Sequence, residues 1–316
     1  MPATKSLKEI IQNSKKALLI GIGGGGDIVG TIPTADLLQM FNIECVYGGL
    51  SWERFTYDPM PGPRTFEEAK NVRKLNEVVW YANKDSLTIT GSRFAESGFS
   101  EVIDKETLLV DINPGPEAIA EGLLDAADKL GADLIVGVDV GGDVIAQGHE
   151  PGLMSPLADS VMTAAFSRLE TEIPSIIGLF GYGSDGELTH KELEASMKLK
   201  LKKGAIIGSW GITHDALRRL EEVIAVVPTE ASRLPVLYSR GICEETTIRK
   251  GTRNVSLSMA STVTFYFSPG VLYESSKLAK AVSKSKSLEE ANDALHLLDI
   301  HTELDLERDM QKEKES

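Results

Sequence analysis

Residues 17–38 read "ALLIGIGGGGDIVGTIPTADLL": an apolar run breaks into glycines, meets an aspartate and passes into a proline-led helical stretch. A short buried strand feeding a glycine turn and then a helix is the opening unit of a parallel α/β sheet, so this segment predicts the fold class. It also poses a chemical question. Glycine turns in this position let backbone N–H groups converge on a phosphate, yet Asp27 sets a negative charge in the turn. Either the turn is not a phosphate cradle, or something positive stands between the carboxylate and the ligand.

The same texture recurs downstream. Apolar runs at "ECVYGGL", "SLTIT", "TLLVDIN", "DLIVGVD", "SIIGLFG" and "AIIGSWG" alternate with stretches of helical period. The pattern predicts a Rossmann-like three-layer αβα fold with a mostly parallel sheet. In "INPGPEAIAEGLLDAADKLGAD", Pro116 stands near the first helical turn and Gly131 at the end of the helix, immediately before a strand. From Gly241 the β-branched "GICEETTIRKGTRNVSLSMASTVTFYFSP" predicts antiparallel strands over 241–269, as a sheet edge or an appended hairpin. Two helices, "VLYESSKLAKAVSKS" and "SLEEANDALHLLD", should follow. Residues 1–302 read as a single α/β domain, and the charged 303–316 as a frayed tail.

Charge narrows the function. With 33 basic against 47 acidic side chains, the net charge of -14 opposes attraction to nucleic acid and to anionic membranes. No apolar run approaches the roughly 20 residues of a membrane span, and the opening "MPATKSLKEIIQNSKK" lacks a signal-peptide core, so a cytoplasmic protein is expected. Cys45 and Cys243 lack metal or redox spacing and read as idle thiols. A homo-oligomer remains open.

Gly21, Gly23 and Gly26 match G-x-G-x-x-G, which raises a metal-free dinucleotide or nucleotide site (NAD or ATP). The acidic residue that should close the next strand is missing there: Glu44 stands at its wrong end and Glu53 comes late. A second segment shifts the weight. Residues 137–163, "GVDVGGDVIAQGHEPGLMSPLADSVMT", echo the first: apolar strand, Gly-Gly-Asp, then Pro-x-Ala-Asp opening a helix. Gly25, Gly26 and Asp27 correspond to Gly141, Gly142 and Asp143, and the longer second loop adds His149 and Glu150.

If the strands are parallel, both turns lie at the carboxyl end of the sheet, where such folds bind ligands. Asp111, Asp139 and Asp185 follow other apolar runs and would join Asp27 and Asp143 there. Like charges about 4 Å apart repel by roughly 4 kcal/mol at an effective dielectric near 20, so the cluster needs protons, cations or a metal. Oxygen ligands favour Mg²⁺ or Mn²⁺ over zinc. Asp36, Asp159 and Glu187 read more simply as acids in first helical turns, complementing the helix dipole.

The expected activity is that of a divalent-metal-dependent hydrolase, phosphatase-like, acting on a small anionic or phosphorylated metabolite. In it Asp27, Asp139, Asp143, Asp111 and Asp185 would hold the metal, and Glu150 or His149 would move the proton. The glycines Gly21, Gly23, Gly24, Gly25, Gly26, Gly141 and Gly142 would hold substrate oxygens. Glu53 and Arg54, in the stretch "YGGLSWERFTYDPMPGPR", would supply specificity from a structured loop, with Trp52, Asp58 and Arg64 also available there. "RKGTRN", with Arg249, Lys250 and Arg253, reads as a charged hairpin turn that could reach an anion.

At "GIGGGGDIVGTIPTADLL", "YGGLSWERFTYDPMPGPR" and "GVDVGGDVIAQGHEPGLMSPLAD" the chain resembles the largely archaeal family called domain of unknown function 1152. The likeness spans nearly the whole sequence and implies a fold without a reaction. A more distant similarity is to the D-glutamate cyclase-like family, whose acidic crevice binds divalent metal. Here Gly141, Gly142 and Gly148 match that family's turn, while Asp143 and Val144 stand where it has Asn and Glu.

Overall fold

A computed structural model describes residues 5–243, 246–249, 251 and 253–315. Nine strands form the main sheet: β1 (Lys16–Gly21), β2 (Glu44–Leu50), β3 (Arg73–Lys74), β4 (Val79–Ala82), β5 (Thr107–Val110), β6 (Leu134–Val140), β7 (Ser175–Phe180), β8 (Ile206–Gly211) and β9 (Val263–Phe267). Their spatial order is β8-β9-β7-β6-β1-β2-β5-β4-β3. The pairs β1–β2, β1–β6, β2–β5 and β6–β7 are parallel, whereas β9 runs antiparallel to both β7 and β8, and β4 to β5. The fold is thus α/β with a mostly parallel sheet, as the apolar runs predict.

Alternation along β1 shows how the layers assemble. Leu18 and Ile20 point into one core with the helices Gly115–Leu130 and Pro156–Leu169, while Ala17 and Leu19 point into another with Ile32–Gln39, Ala95–Ile103 and His214–Ile224. Every residue of β6 is buried, which a strand covered on both faces requires. The Gly115–Leu130 helix ends on Gly131 at φ +67°, a left-handed turn that costs glycine nothing.

The chain leaves β1 towards β2 on one side, and leaves the neighbouring β6 towards β7 on the other. Such a reversal opens a crevice at the carboxyl ends of the two strands. Both Gly-Gly-Asp turns stand there, side by side.

Several expectations are corrected. Within "SLTIT" only Leu87–Thr88 is a strand, and it pairs with Ala69–Lys70 outside the main sheet. The antiparallel strands expected over 241–269 are present: Thr246–Ile248 with Arg253–Val255 forms the appended hairpin, and β9 lies inside the sheet between β7 and β8 rather than at its edge. The first of the two expected helices divides into Pro269–Glu274 and Lys277–Val282, because Ser276 caps a new start through a 3.1 Å bond from the Ala279 N–H. The supposed frayed tail is the helix Glu303–Glu315, with Glu303, Leu304 and Glu307 buried against the domain. No helix among the described residues is long and apolar enough to cross a membrane.

Candidate functional site

A crevice of about 530 Å³ opens between the ends of β1 and β6. Asp27 from the first Gly-Gly-Asp turn, Asp139 from the end of β6 and Asp143 from the second turn line it, together with Asp159 and Asp185. Each of these five acids is no more than 8% exposed. The sheet brings the two turns together because β1 and β6 are neighbours, and the glycines let the acids turn inward. A Cβ on Gly23 would stand 2.6 Å from Asp27 Oδ2 and 3.2 Å from Asp159 Oδ2, and one on Gly141 would collide with the Asp185 carboxylate at 2.1 Å. These positions need glycine to admit carboxylates.

The first turn is not shaped as a bare phosphate cradle. The Gly23 N–H donates to Asp27 Oδ2 at 2.9 Å, and the Gly25 N–H to the Trp52 carbonyl at 2.9 Å. Two donors that a pyrophosphate would need are thereby committed inside the protein. Gly25 instead makes room for Arg54, whose Nε would lie 2.5 Å from a Cβ at that position. The positive group beside Asp27 is therefore Arg54. Its guanidinium makes no hydrogen bond or ion pair among the described residues, although it lies in the field of Asp27, Glu187, Glu303 and Glu307.

Burial dominates the electrostatics. It pushes Asp27 up to about 7 against the pull of Arg54, and Asp185 up to about 6 with Glu187 adding to the rise. Asp139, Asp143 and Asp159 are raised well above the carboxylate range by burial and by one another. Glu187 behaves oppositely. Burial works against its charge, but Arg253 at 2.9 Å and Arg249 at 3.1 Å outweigh it and hold the carboxyl low.

A hydroxyl bridges two of the carboxylates. Ser155 Oγ lies 2.8 Å from Asp143 Oδ2 and 2.7 Å from Glu187 Oε1. The hydroxyl donates its single proton towards both carboxylates, so the Asp143 carboxyl is left only partly satisfied. The other Asp143 oxygen, Oδ1, and Asp159 Oδ1 are buried with no partner. Unpartnered carboxylate oxygens are costly to bury unless a proton or a cation meets them.

The far wall comes from the C-terminal helix. Glu303 accepts from the Leu157 and Ala158 N–H groups, at 3.0 and 2.8 Å, and so caps the helix that carries Asp159. Burial pushes Glu303 up to about 7. Glu307 accepts from Trp52 Nε1 at 3.0 Å and the Gly62 N–H at 2.8 Å, tying the helix to the proline-rich loop. That loop is structured, as expected: buried Arg64 meets Asp58 at 3.4 Å and donates to the carbonyls of Met60, Pro61 and Gly62. Glu307→Ala leaves the indole N–H and the Gly62 amide buried without acceptors, and is expected to cost about 1–3 kcal/mol in urea denaturation.

Other predicted residues stand elsewhere. Glu150 is buried, but its carboxylate accepts from the Gln147, Gly148 and His149 N–H groups at 2.8 to 3.1 Å, closing its own loop away from the crevice. The His149 side chain is 75% exposed. Neither lines the crevice, so the proton-transfer assignment does not fit them. Asp111, beyond β5, accepts from the Asn113 N–H and side-chain amide at 2.8 Å, two strands from β1 and outside the crevice. Glu53 accepts from the Ala95 N–H at 2.7 Å at the start of the Ala95–Ile103 helix, beside buried Glu96. Burial pushes it up to about 7, and it holds structure rather than ligand. Of the basic hairpin, Arg249 and Arg253 reach Glu187, and Lys250 lies outside the described residues.

Among the described residues, no three histidine, cysteine, aspartate or glutamate side chains are placed to hold a metal ion together as they stand. Sequence reasoning underrated Asp159 and Glu187 and missed Glu303 and Glu307. The shared Pro-x-Ala-Asp singled out Asp159 in the sequence without placing it, since its counterpart Asp36 accepts from Thr213 outside the crevice.

The family described as "Protein of unknown function (DUF1152)" matches residues 18–311, and the chain belongs to it. No curated protein and no solved structure matches.

Proposed function

We propose that this member of the family is a divalent-metal-dependent enzyme, a hydrolase of phosphatase type, acting on a small phosphorylated metabolite in the crevice between the two Gly-Gly-Asp turns. One observation carries the reading. The unpartnered Asp143 and Asp159 oxygens lack a cation, and the Arg54 guanidinium, which lines the same crevice as Asp27, makes no hydrogen bond or close ion pair among the described residues. A phosphate arriving with its metal answers both needs at once.

The absence of a ready-made three-residue cage fits this mode. Mg²⁺ keeps several waters and is commonly held by one or two carboxylates plus the substrate's own phosphate oxygens. Asp143 and Asp159 would supply the protein ligands, with Asp139 and Asp185 behind them, and the ion would polarise the phosphoryl group. Arg54 and Arg249 would hold the remaining phosphate oxygens. Asp27, which lines the crevice where Glu150 and His149 do not, would take and return the proton.

The test is a thermal-shift matrix of Mn²⁺ and inorganic phosphate, alone and together, against a chelator control. Together they should stabilise by more than the two separate effects, by about 2–3 kcal/mol at a hundredfold excess over the dissociation constant. No joint stabilisation would overturn the proposal. NAD or ATP stabilising equally in chelator would favour the metal-free nucleotide reading instead.

A further inference from the structure

The crevice is too large and too mixed in character for phosphate alone. Its volume of about 530 Å³ lies within the range that encloses organic ligands of drug size, about 300–1,000 Å³. Its lining is also partly apolar. The acids are buried, whereas Tyr57 and Met310 are 41% and 44% exposed, two large apolar side chains left open to solvent at one site. Phe55, Ile248 and Leu306 line the same cavity. These side chains come from three separate segments: the loop after β2, the hairpin and the C-terminal helix. Thr56, Thr229 and Glu230 also line the cavity, but these five side chains, apart from the Tyr57 hydroxyl, offer ring, alkyl and thioether surface that packs readily on an apolar body.

We infer that the crevice takes an amphipathic phosphate ester, with its phosphoryl group against the buried acids and Arg54 and an apolar organic group against Phe55, Tyr57, Ile248, Leu306 and Met310. This rests on the metal-and-phosphate reading above and adds to it the chemical class of the esterified group. Exposed Tyr57 and Met310 are then the part of the wall that the ligand covers.

Calorimetric titration in Mn²⁺ with phenyl phosphate, isoamyl phosphate and glycerol phosphate tests it, with inorganic phosphate as the reference. The two apolar esters should bind about tenfold or more tightly than glycerol phosphate, as burial of a small apolar group implies. Met310→Glu and Tyr57→Ser, both at solvent-exposed positions, should each shrink that preference to about threefold or less. Equal binding of the three esters, or a preference that both variants leave intact, overturns this inference while the phosphate site stands. Failure of every probe, inorganic phosphate included, to bind in Mn²⁺ overturns both.

Discussion

Asp159→Asn should make the metal-free protein more stable at pH 8, by about 1–3 kcal/mol, and should remove most of the joint stabilisation by Mn²⁺ and phosphate. The reason is the direction of its shift. Burial, with Asp27 and Glu303 nearby, raises the Asp159 carboxyl well above its ordinary range, despite the opposing charge of Arg54. A carboxyl raised in the folded state binds more protons there than in the unfolded chain. Stability therefore falls as pH climbs from the unfolded value near 4 towards the folded one, and each unit of difference is worth about 1.4 kcal/mol. Asparagine keeps the shape without the charge. Its advantage should grow as pH rises above the ordinary carboxylate range and vanish below about pH 4, where both states are protonated. Urea denaturation at the two pH values, in chelator, measures it; a variant less stable than the parent at pH 8 would show that Asp159 is held by a partner rather than waiting for one.

Arg54→Met should act in the opposite sense, lowering stability at pH 8 by about 2–4 kcal/mol and weakening phosphate binding by about a hundredfold. Arg54 is the cation beside Asp27, Glu187, Glu303 and Glu307, and methionine keeps its length while withdrawing its charge. At pH 5 the loss should be smaller. Asp27 and Glu303, both pushed to about 7, already carry protons there and need no counter-charge. A destabilisation that is the same at pH 5 and pH 8 would mean that Arg54 acts by packing alone.

The sheet was legible because its central strands, such as β1, β6 and β7, are buried apolar runs, and the two Gly-Gly-Asp turns were legible because they repeat. That they share one crevice follows from β1 and β6 being adjacent, which neither segment states by itself. Local rules misled in two directions. An acid in a first helical turn satisfies the dipole wherever it stands, so Asp159 and Glu187 looked ordinary until the helix and the loop were placed. Conversely, Glu150 and His149 follow a glycine turn and looked functional, yet Glu150 spends its oxygens on three neighbouring amides. The segment 303–315 gave no warning, since its run of charges resembles solvated tails. What buries it is pairing with donors far away in sequence, Ala158 and Trp52. Strand β4 escaped notice because "VWYA" is only four residues long, at the far side of the sheet.

The adjacency of β1 and β6 also bears on how the molecule comes apart. Leu18 lies opposite Ile135, whereas its other neighbour, Val46, is close in sequence. The seam beneath the crevice is therefore a non-local contact, which a folding chain forms at greater entropic cost than the local pairing. A ligand held by Arg54, beside the first turn, and by Asp143, in the second, would act as a clasp across that seam. If the seam closes after the folding barrier, such a clasp lengthens the life of the folded state and leaves the rate of its formation nearly untouched.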